Sequence, residues 1–230
     1  MRTAGDWFDR AHRGRLRLWS LLGVCVLTVV VVLAWFTPVL SASTVEIDGL
    51  VAVPEEQVRD KLEIPSGRSM LRIDTDAMAR RVAGIPKVRT ARVQRVFPST
   101  VKVTVVERMP VLFWDSPQGA HLLDAEGVEF AIEEAPIGVP KLTTEHPSGD
   151  DPVTRAAASV LSILPAALVV QVDEVVARSI SNISLNLRDG RTVVWGGTND
   201  AERKAAVVMP LLTRDGTVFD VSSPNLVTVK

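Results

Sequence analysis

The sequence predicts an α+β protein with a single N-terminal transmembrane helix, followed by two domains that both contain β structure. Three observations predict this. A long apolar run without charge lies near the N-terminus, with arginines on one side only. Beyond it, short alternating stretches mark strands, and helix-spaced segments interrupt them. One cysteine and three histidines leave little material for disulfide, metal or nucleophilic chemistry.

The apolar run comes first. No charged residue occurs from Leu18 to Val45, and "LWSLLGVCVLTVVVVLAWF" (Leu18 to Phe36) is almost wholly apolar. As a helix it spans about 28 Å, one hydrocarbon core. An isolated span must satisfy its backbone internally, which selects a helix. Trp19 and Trp35 stand near its two ends, where indole rings favour the interface. Arg2, Arg10, Arg13, Arg15 and Arg17 precede the run, and the next basic residue is Arg59. The positive-inside rule then puts residues 1–17 in the cytoplasm, a helix over 18–40 in the membrane, and the rest outside. "SAS" (Ser41 to Ser43) also has the form of a signal-peptidase site. The run is longer than a usual signal core, which favours an uncleaved anchor. Cys25 falls inside the span, so the outer part folds without an internal disulfide.

After the anchor, "STVEIDGL" (Ser43 to Leu50) alternates and ends in an Asp-Gly turn, a short strand. "PEEQVRDKLEI" (Pro54 to Ile64) reads as a helix, with Pro and two Glu at its start. "DTDAMARRVAGI" (Asp74 to Ile85) reads as a second helix, with Asp74 as N-cap and Gly84 as stop. "PKVRTARVQRVFPSTVKVTVVERMP" (Pro86 to Pro110) is then a hairpin. Ala91, Val93, Phe97, Val101, Val103 and Val105 make its apolar face. Arg92, Gln94, Lys102 and Thr104 make its wet face. Arg95 falls in register with the apolar set and is read as a structural arginine at the sheet rim, paired with a carboxylate. Two helices over one face of three strands bury both layers.

Order and motifs resemble the POTRA domain of the bacterial cell-division family FtsQ/DivIB. The family's first-strand pattern is met by Val45, Ile47 and Gly49. Its hairpin pattern is met by Val88, Ala91, Val93, Arg95, Phe97, Pro98, Thr100, Val101, Val103, Val105, Glu107, Arg108 and Pro110. Further on, "HLLDAEGVEF" (His121 to Phe130) is similar to the family's Asp-x-x-Gly hairpin. "PVLFWD" (Pro110 to Asp115) and "GVPKLT" (Gly138 to Thr143) read as strands. Helices fit "PVTRAAASVLSIL" (Pro152 to Leu164) and "NDAERKAAVVMPLL" (Asn199 to Leu212), the latter capped by Asn199. "ISLNLRDGRTVVWGG" (Ile183 to Gly197) is a hairpin around Asp189-Gly190. "TVFDVSSPNLVTVK" (Thr217 to Lys230) supplies two last strands. The resemblance implies a POTRA domain over 43–109 and an FtsQ-type β domain over 110–230.

No enzyme motif stands out. His121 and Asp124 could be written as a metal pair, but the sequence offers no third ligand at a matching spacing, and they read as surface loop residues. No cofactor, nucleic acid or small-molecule substrate is expected. Function then lies in surfaces. The wet hairpin face, with Arg92 and Lys102, is a candidate docking face for a partner or for anionic headgroups; it also fits ordinary solubilising charge. The last strand is a candidate open edge that recruits a partner strand. The resemblance implies partners of the FtsB and FtsL type, bound at Phe219, Asp220, Val221, Ser223, Asn225, Leu226, Val227, Thr228 and Val229. Here the family's aromatic after Asp220 and its terminal Trp are absent, and Pro224 intervenes.

The implied function is a non-enzymatic scaffold of the division machinery, single-pass in the cell membrane and enriched at the septum. Two rivals are a POTRA-containing assembly or secretion protein and an anchored cell-wall hydrolase. The first needs at least about eight strands of about 9–11 residues, and residues 111–230 hold two helix-like segments and too few such strands. The second lacks a catalytic constellation legible in sequence.

Overall fold

The computed structural model describes residues 22–28, 41–64 and 69–230. The predicted span over 18–40 lies outside them except for 22–28, which are helical. The predicted arm over 1–17 also lies outside them. Among the described residues no helix is long and apolar enough to cross a membrane. The chain divides into two compact units between Glu107 and Arg108.

The first unit is a three-stranded sheet under two helices. Its elements are β1 (Thr44–Asp48), α1 (Glu55–Leu62), a 3-10 turn (Met70–Arg72), α2 (Thr75–Ala83), β2 (Val88–Val96) and β3 (Thr100–Glu107). β3 is central, parallel to β1 and antiparallel to β2. Val101, Val103 and Val105 point from β3 into a core with Val58 and Leu62 of α1 and Met78 and Val82 of α2. Burying such aliphatic side chains contributes about 1.5–3 kcal/mol each and holds the layers together. Asp74 caps α2 by accepting from the N–H groups of Asp76 and Ala77, and Gly84 ends the helix. Gly49 (φ 91°) has no room for a side chain: a Cβ there would lie 2.0 Å from the Val105 carbonyl oxygen. That close approach is why glycine ends the first strand.

Phe97 departs from expectation. Its parity placed it on the apolar face, yet it is 56% exposed. β2 ends at Val96, so alternation no longer governs the next side chain.

The second unit is one nine-stranded mixed sheet, in the order β12-β11-β10-β9-β8-β7-β4-β5-β6. Its strands are β4 (Leu112–Ser116), β5 (Gly119–Leu123), β6 (Glu129–Glu133), β7 (Lys141–Thr143), β8 (Val172–Ser179), β9 (Asn182–Leu187), β10 (Thr192–Gly196), β11 (Val218–Asp220) and β12 (Thr228–Val229). Helices α3 (Pro152–Ile163), a short α4 (Ala166–Val169) and α5 (Ala201–Leu211) complete it. The core joins Ala157, Val160 and Leu161 of α3, Val208 and Leu211 of α5, and the sheet residues Val175, Leu185, Val193, Trp195 and Phe219.

Two elements differ from the sequence reading. β8 and α4 were not anticipated. In β8 the buried residues are Val172, Val175 and Ala177, and register shifts near Asp173 and Arg178 break the two-residue period. The cap of α5 is Asp200 in the left-handed region (φ 53°), without a side-chain cap bond, and not Asn199.

Candidate functional site

The C-terminal edge is built from β10, β11 and β12. β11 lies between the other two, parallel to β10 and antiparallel to β12. Val218 and Lys230 exchange both main-chain bonds, at 3.0 and 2.9 Å, and the Thr217 N–H adds a third to the Lys230 carbonyl at 2.7 Å. In an antiparallel ladder the next residue turns its groups the other way. Val229 therefore directs its N–H and C=O outward, to a side that carries no strand among the described residues.

The nine residues expected at this edge divide by side. Phe219 and Val221 are fully buried in the core. Their side chains pack in that core and hold β11 in place. Val227 and Val229 pack half-buried against the same core. Asp220 is half-buried and accepts the Ser222 N–H at 2.9 Å, closing a turn. Ser223, Asn225 and Thr228 are exposed. Arg203 of α5 donates to the Asn225 side chain at 3.3 Å. Leu226 is 77% exposed, the most open large apolar residue of this edge.

On the wet face of the first unit, the structure brings opposite charges together. Lys102 Nζ lies 2.9 Å from Asp48 Oδ2, and Glu46 stands directly across from Lys102. The hydrogen bond to Asp48, then its charge, pushes the Lys102 pKa up. Lys102 is thus engaged within its own sheet. Arg92, opposite Thr104, is exposed. Arg95 donates to the main-chain carbonyl of Ile73, which replaces the carboxylate partner expected from sequence.

Two adjacent residues do work that the sequence reading missed. Glu107 accepts from three consecutive N–H groups: Val51 at 2.8 Å, Ala52 at 2.9 Å and Val53 at 3.0 Å. Burial raises its pKa, but those donors and the charge of Lys87 outweigh it, and the net shift is downward. Arg108 bonds to Asp124, whose side chain is only 3% exposed. Asp124 also accepts from Glu126 N–H at 3.0 Å and Val128 N–H at 2.8 Å. Family motif positions are here explained by the bonds they make.

His121 and Asp124 therefore serve different networks. His121 is buried, stacks on Trp114 with ring centroids 3.7 Å apart, and bonds Glu129 at 2.7 Å and Ser116 at 2.9 Å. A Ser–His–Glu line has the form of a hydrolase relay. Here Ser116 closes the β4–β5 turn: its Oγ accepts the Gln118 N–H at 3.1 Å and lies within donating reach of Gln118 Oε1 and Gly119 O. Turn-locking accounts for these contacts. Among the described residues no group of three side chains is placed to hold a metal ion.

Lys204 of α5 is also buried. It is 2% exposed, donates to the Gly197 carbonyl at 2.8 Å, and lies 5.8 Å from the Trp195 ring centroid. Burial pushes its pKa down, while Asp200 and Asp220 pull it back up. It ties α5 to the end of β10.

A strand–helix–helix–strand–strand unit followed by an edge-open mixed sheet defines a POTRA-bearing class of protein. Residues 40–108 match the family model described as POTRA domain, FtsQ-type, and residues 112–222 match cell division protein FtsQ/DivIB, C-terminal. The chain belongs to the FtsQ/DivIB family of cell division proteins. It is 46% identical over 217 residues to the cell division protein FtsQ of Mycolicibacterium smegmatis, covering 94% of this chain and 65% of that protein. It is 45% identical over 225 residues to FtsQ of Mycobacteroides abscessus, covering 96% and 73%. The chain thus spans about two thirds of the length of these relatives. The solved extracytoplasmic domain of DivIB from Geobacillus stearothermophilus, trans isomer, is similar at 19% identity and a TM-score of 0.34, over 44% of this chain and 84% of that one.

Proposed function

We propose that this chain is a non-enzymatic, membrane-anchored scaffold of the bacterial division machinery. It recruits bitopic partners of the FtsB and FtsL type at the septum. In this reading residues 1–17 are cytoplasmic, 18–40 form the anchor, 43–109 the POTRA domain and 110–230 the β domain. The observation that carries it is the outer side of β12, where Val229 presents an outward N–H and C=O beside exposed Leu226 and Thr228. An extended partner segment adds there as a further strand, gaining main-chain bonds for affinity and side-chain contacts for specificity.

The anchor is supported by residues 22–28, where Leu22, Val24, Val26 and Leu27 each leave more than half their surface uncovered. Co-anchored partners are confined to the same membrane, which raises effective concentration and strengthens modest contacts. Arg92 remains a candidate docking residue on the POTRA face, and Lys102 a weaker one because Asp48 already holds it.

The test is deletion of residues 225–230 from the full chain in dividing cells. The expected result is a chain that still reaches the membrane but no longer recruits FtsB- and FtsL-type partners to the septum. Undiminished recruitment would sink the edge-strand reading.

A further inference from the structure

One end of the first unit carries exposed apolar residues that its core does not use. Phe97 is 56% exposed, Val96 45% and Leu71 44%. Three links bring their segments to the same end. The N–H groups of Ser43 and Thr44 both donate to the Ser99 carbonyl, at 2.9 and 3.2 Å. Ser41 bridges to Ser69, beside the turn that holds Leu71. Arg95 donates to the carbonyl of Ile73, tying the tip of the β2–β3 hairpin to that same turn. β1 also starts there, because Thr44 pairs with Thr100 in parallel register.

This end is where the chain arrives from the uncharged apolar run of residues 18–45. Six residues separate Phe36 from Ser43, and the seven steps between these two reach at most about 25 Å when fully extended. The hairpin tip is bonded to Ser43 itself. It therefore lies within about 25 Å of the end of that run, in reach of the layer in which amphipathic and aromatic side chains partition, between hydrocarbon and water. Exposed Arg95 stands beside it, a cation of the kind that anionic headgroups attract. Val51, 93% exposed, is tied to Glu107 at the far end of β3 and takes no part.

We propose that the β2–β3 tip, with Phe97, Val96 and Leu71, inserts into the interfacial layer of the bilayer that anchors the same chain. The occupant of this patch is lipid. The insertion gives the first unit a second point of attachment and so fixes its orientation to the membrane plane. The inference rests on the anchor reading given above.

The experiment uses the full chain with Cys25→Ser, reconstituted in nanodiscs of phosphatidylcholine and phosphatidylglycerol. Single nitroxide labels are placed at Val96→Cys, Leu27→Cys and Ile137→Cys, and collisions with oxygen and with a water-soluble nickel complex are read by electron paramagnetic resonance. Ile137 is fully exposed in the second unit and reports water. The expected result at Val96 is a raised oxygen rate and a severalfold lower nickel rate than at Ile137, with the nickel rate restored by adding Phe97→Asp. A Val96 label as open to nickel as Ile137, with Leu27 shielded in lipid, overturns the insertion and leaves the anchor standing. Low rates for both relaxers at Val96 mean that protein covers the tip, a second copy in this preparation, and also overturn it. A Leu27 label open to nickel overturns the anchor, and the insertion with it.

Discussion

Gly216 stands directly against Val229. A Cβ on Gly216 would lie 2.3 Å from Val229 Cγ1 and 3.1 Å from the Lys230 carbonyl oxygen, at a backbone φ of 154°. The terminal strand is seated through this gap. Gly216→Ala is expected to push β12 off β11 while the buried Phe219 and Val221 keep β11 in the core. Strain of this kind costs roughly 1–3 kcal/mol. Amide exchange at Lys230, whose N–H bonds the Val218 carbonyl, should rise sharply, with little change at Phe219, and partner recruitment should fall as in the deletion of 225–230. Unchanged exchange at Lys230 would show that the gap is not needed.

Glu107 makes the first unit sensitive to acid. Its carboxyl is held below its ordinary value by the N–H donors of Val51, Ala52 and Val53, which outweigh burial. A depressed carboxylate contributes stability above the unfolded value, about 4.3 for Glu, and loses it as pH falls through the folded value. Chemical denaturation of the first unit's transition should weaken below about pH 4.3, and Glu107→Ala should remove most of that slope. The substitution strands three donors and should cost about 2 kcal/mol at neutral pH.

Arg108 neutralises a carboxylate that is almost wholly out of water. Arg108→Ala leaves Asp124 charged and buried, and should destabilise the second unit by about 3–5 kcal/mol. Asp124→Asn keeps an acceptor for Glu126 and Val128 N–H and should cost less. The double variant should recover at least about 1 kcal/mol relative to the sum of the two, the signature of residues acting as a pair. Additive losses in urea denaturation would refute the pairing.

The Ser116–His121–Glu129 line gives a test between lock and catalyst. Ser116→Ala should cost about 1 kcal/mol through loss of turn bonds. His121→Ala should cost more, because it also removes the stack on Trp114. Hydrolysis of a nitrophenyl ester by the full chain should be the same with and without Ser116. A rate that disappears with Ser116→Ala would revive a hydrolytic role.

Local patterns were legible where one physical rule governs the residue. Val101, Val103 and Val105 announced β3 by strict alternation, and Asp74 announced α2 by its capping chemistry. β8 was hidden because its irregularities shift Val172 out of phase with Val175 and Ala177. Phe97 misled because its strand stops one residue earlier. At the C-terminal edge, period-two logic alone separates Phe219 and Val221 from outward neighbours. Lys204 was also visible in principle: Ala201, Lys204, Val208 and Leu211 form the buried stripe of α5. What no local rule could reveal were the long-range partners. Glu107 meets residues 54 to 56 positions away, and Arg95 meets a backbone carbonyl that composition does not mark.

The parallel pairing of β1 with β3 sets an order of events during synthesis. Thr44 pairs with Thr100 and Asp48 with Thr104, and among the described residues β1 has no other strand beside it. At roughly 5–20 residues per second, the ribosome needs about 3–11 seconds to make the chain between these partners. For that interval the first strand is made but unpaired, while both helices can already form. The sheet can close only once its central strand β3 is made and receives β1 and β2.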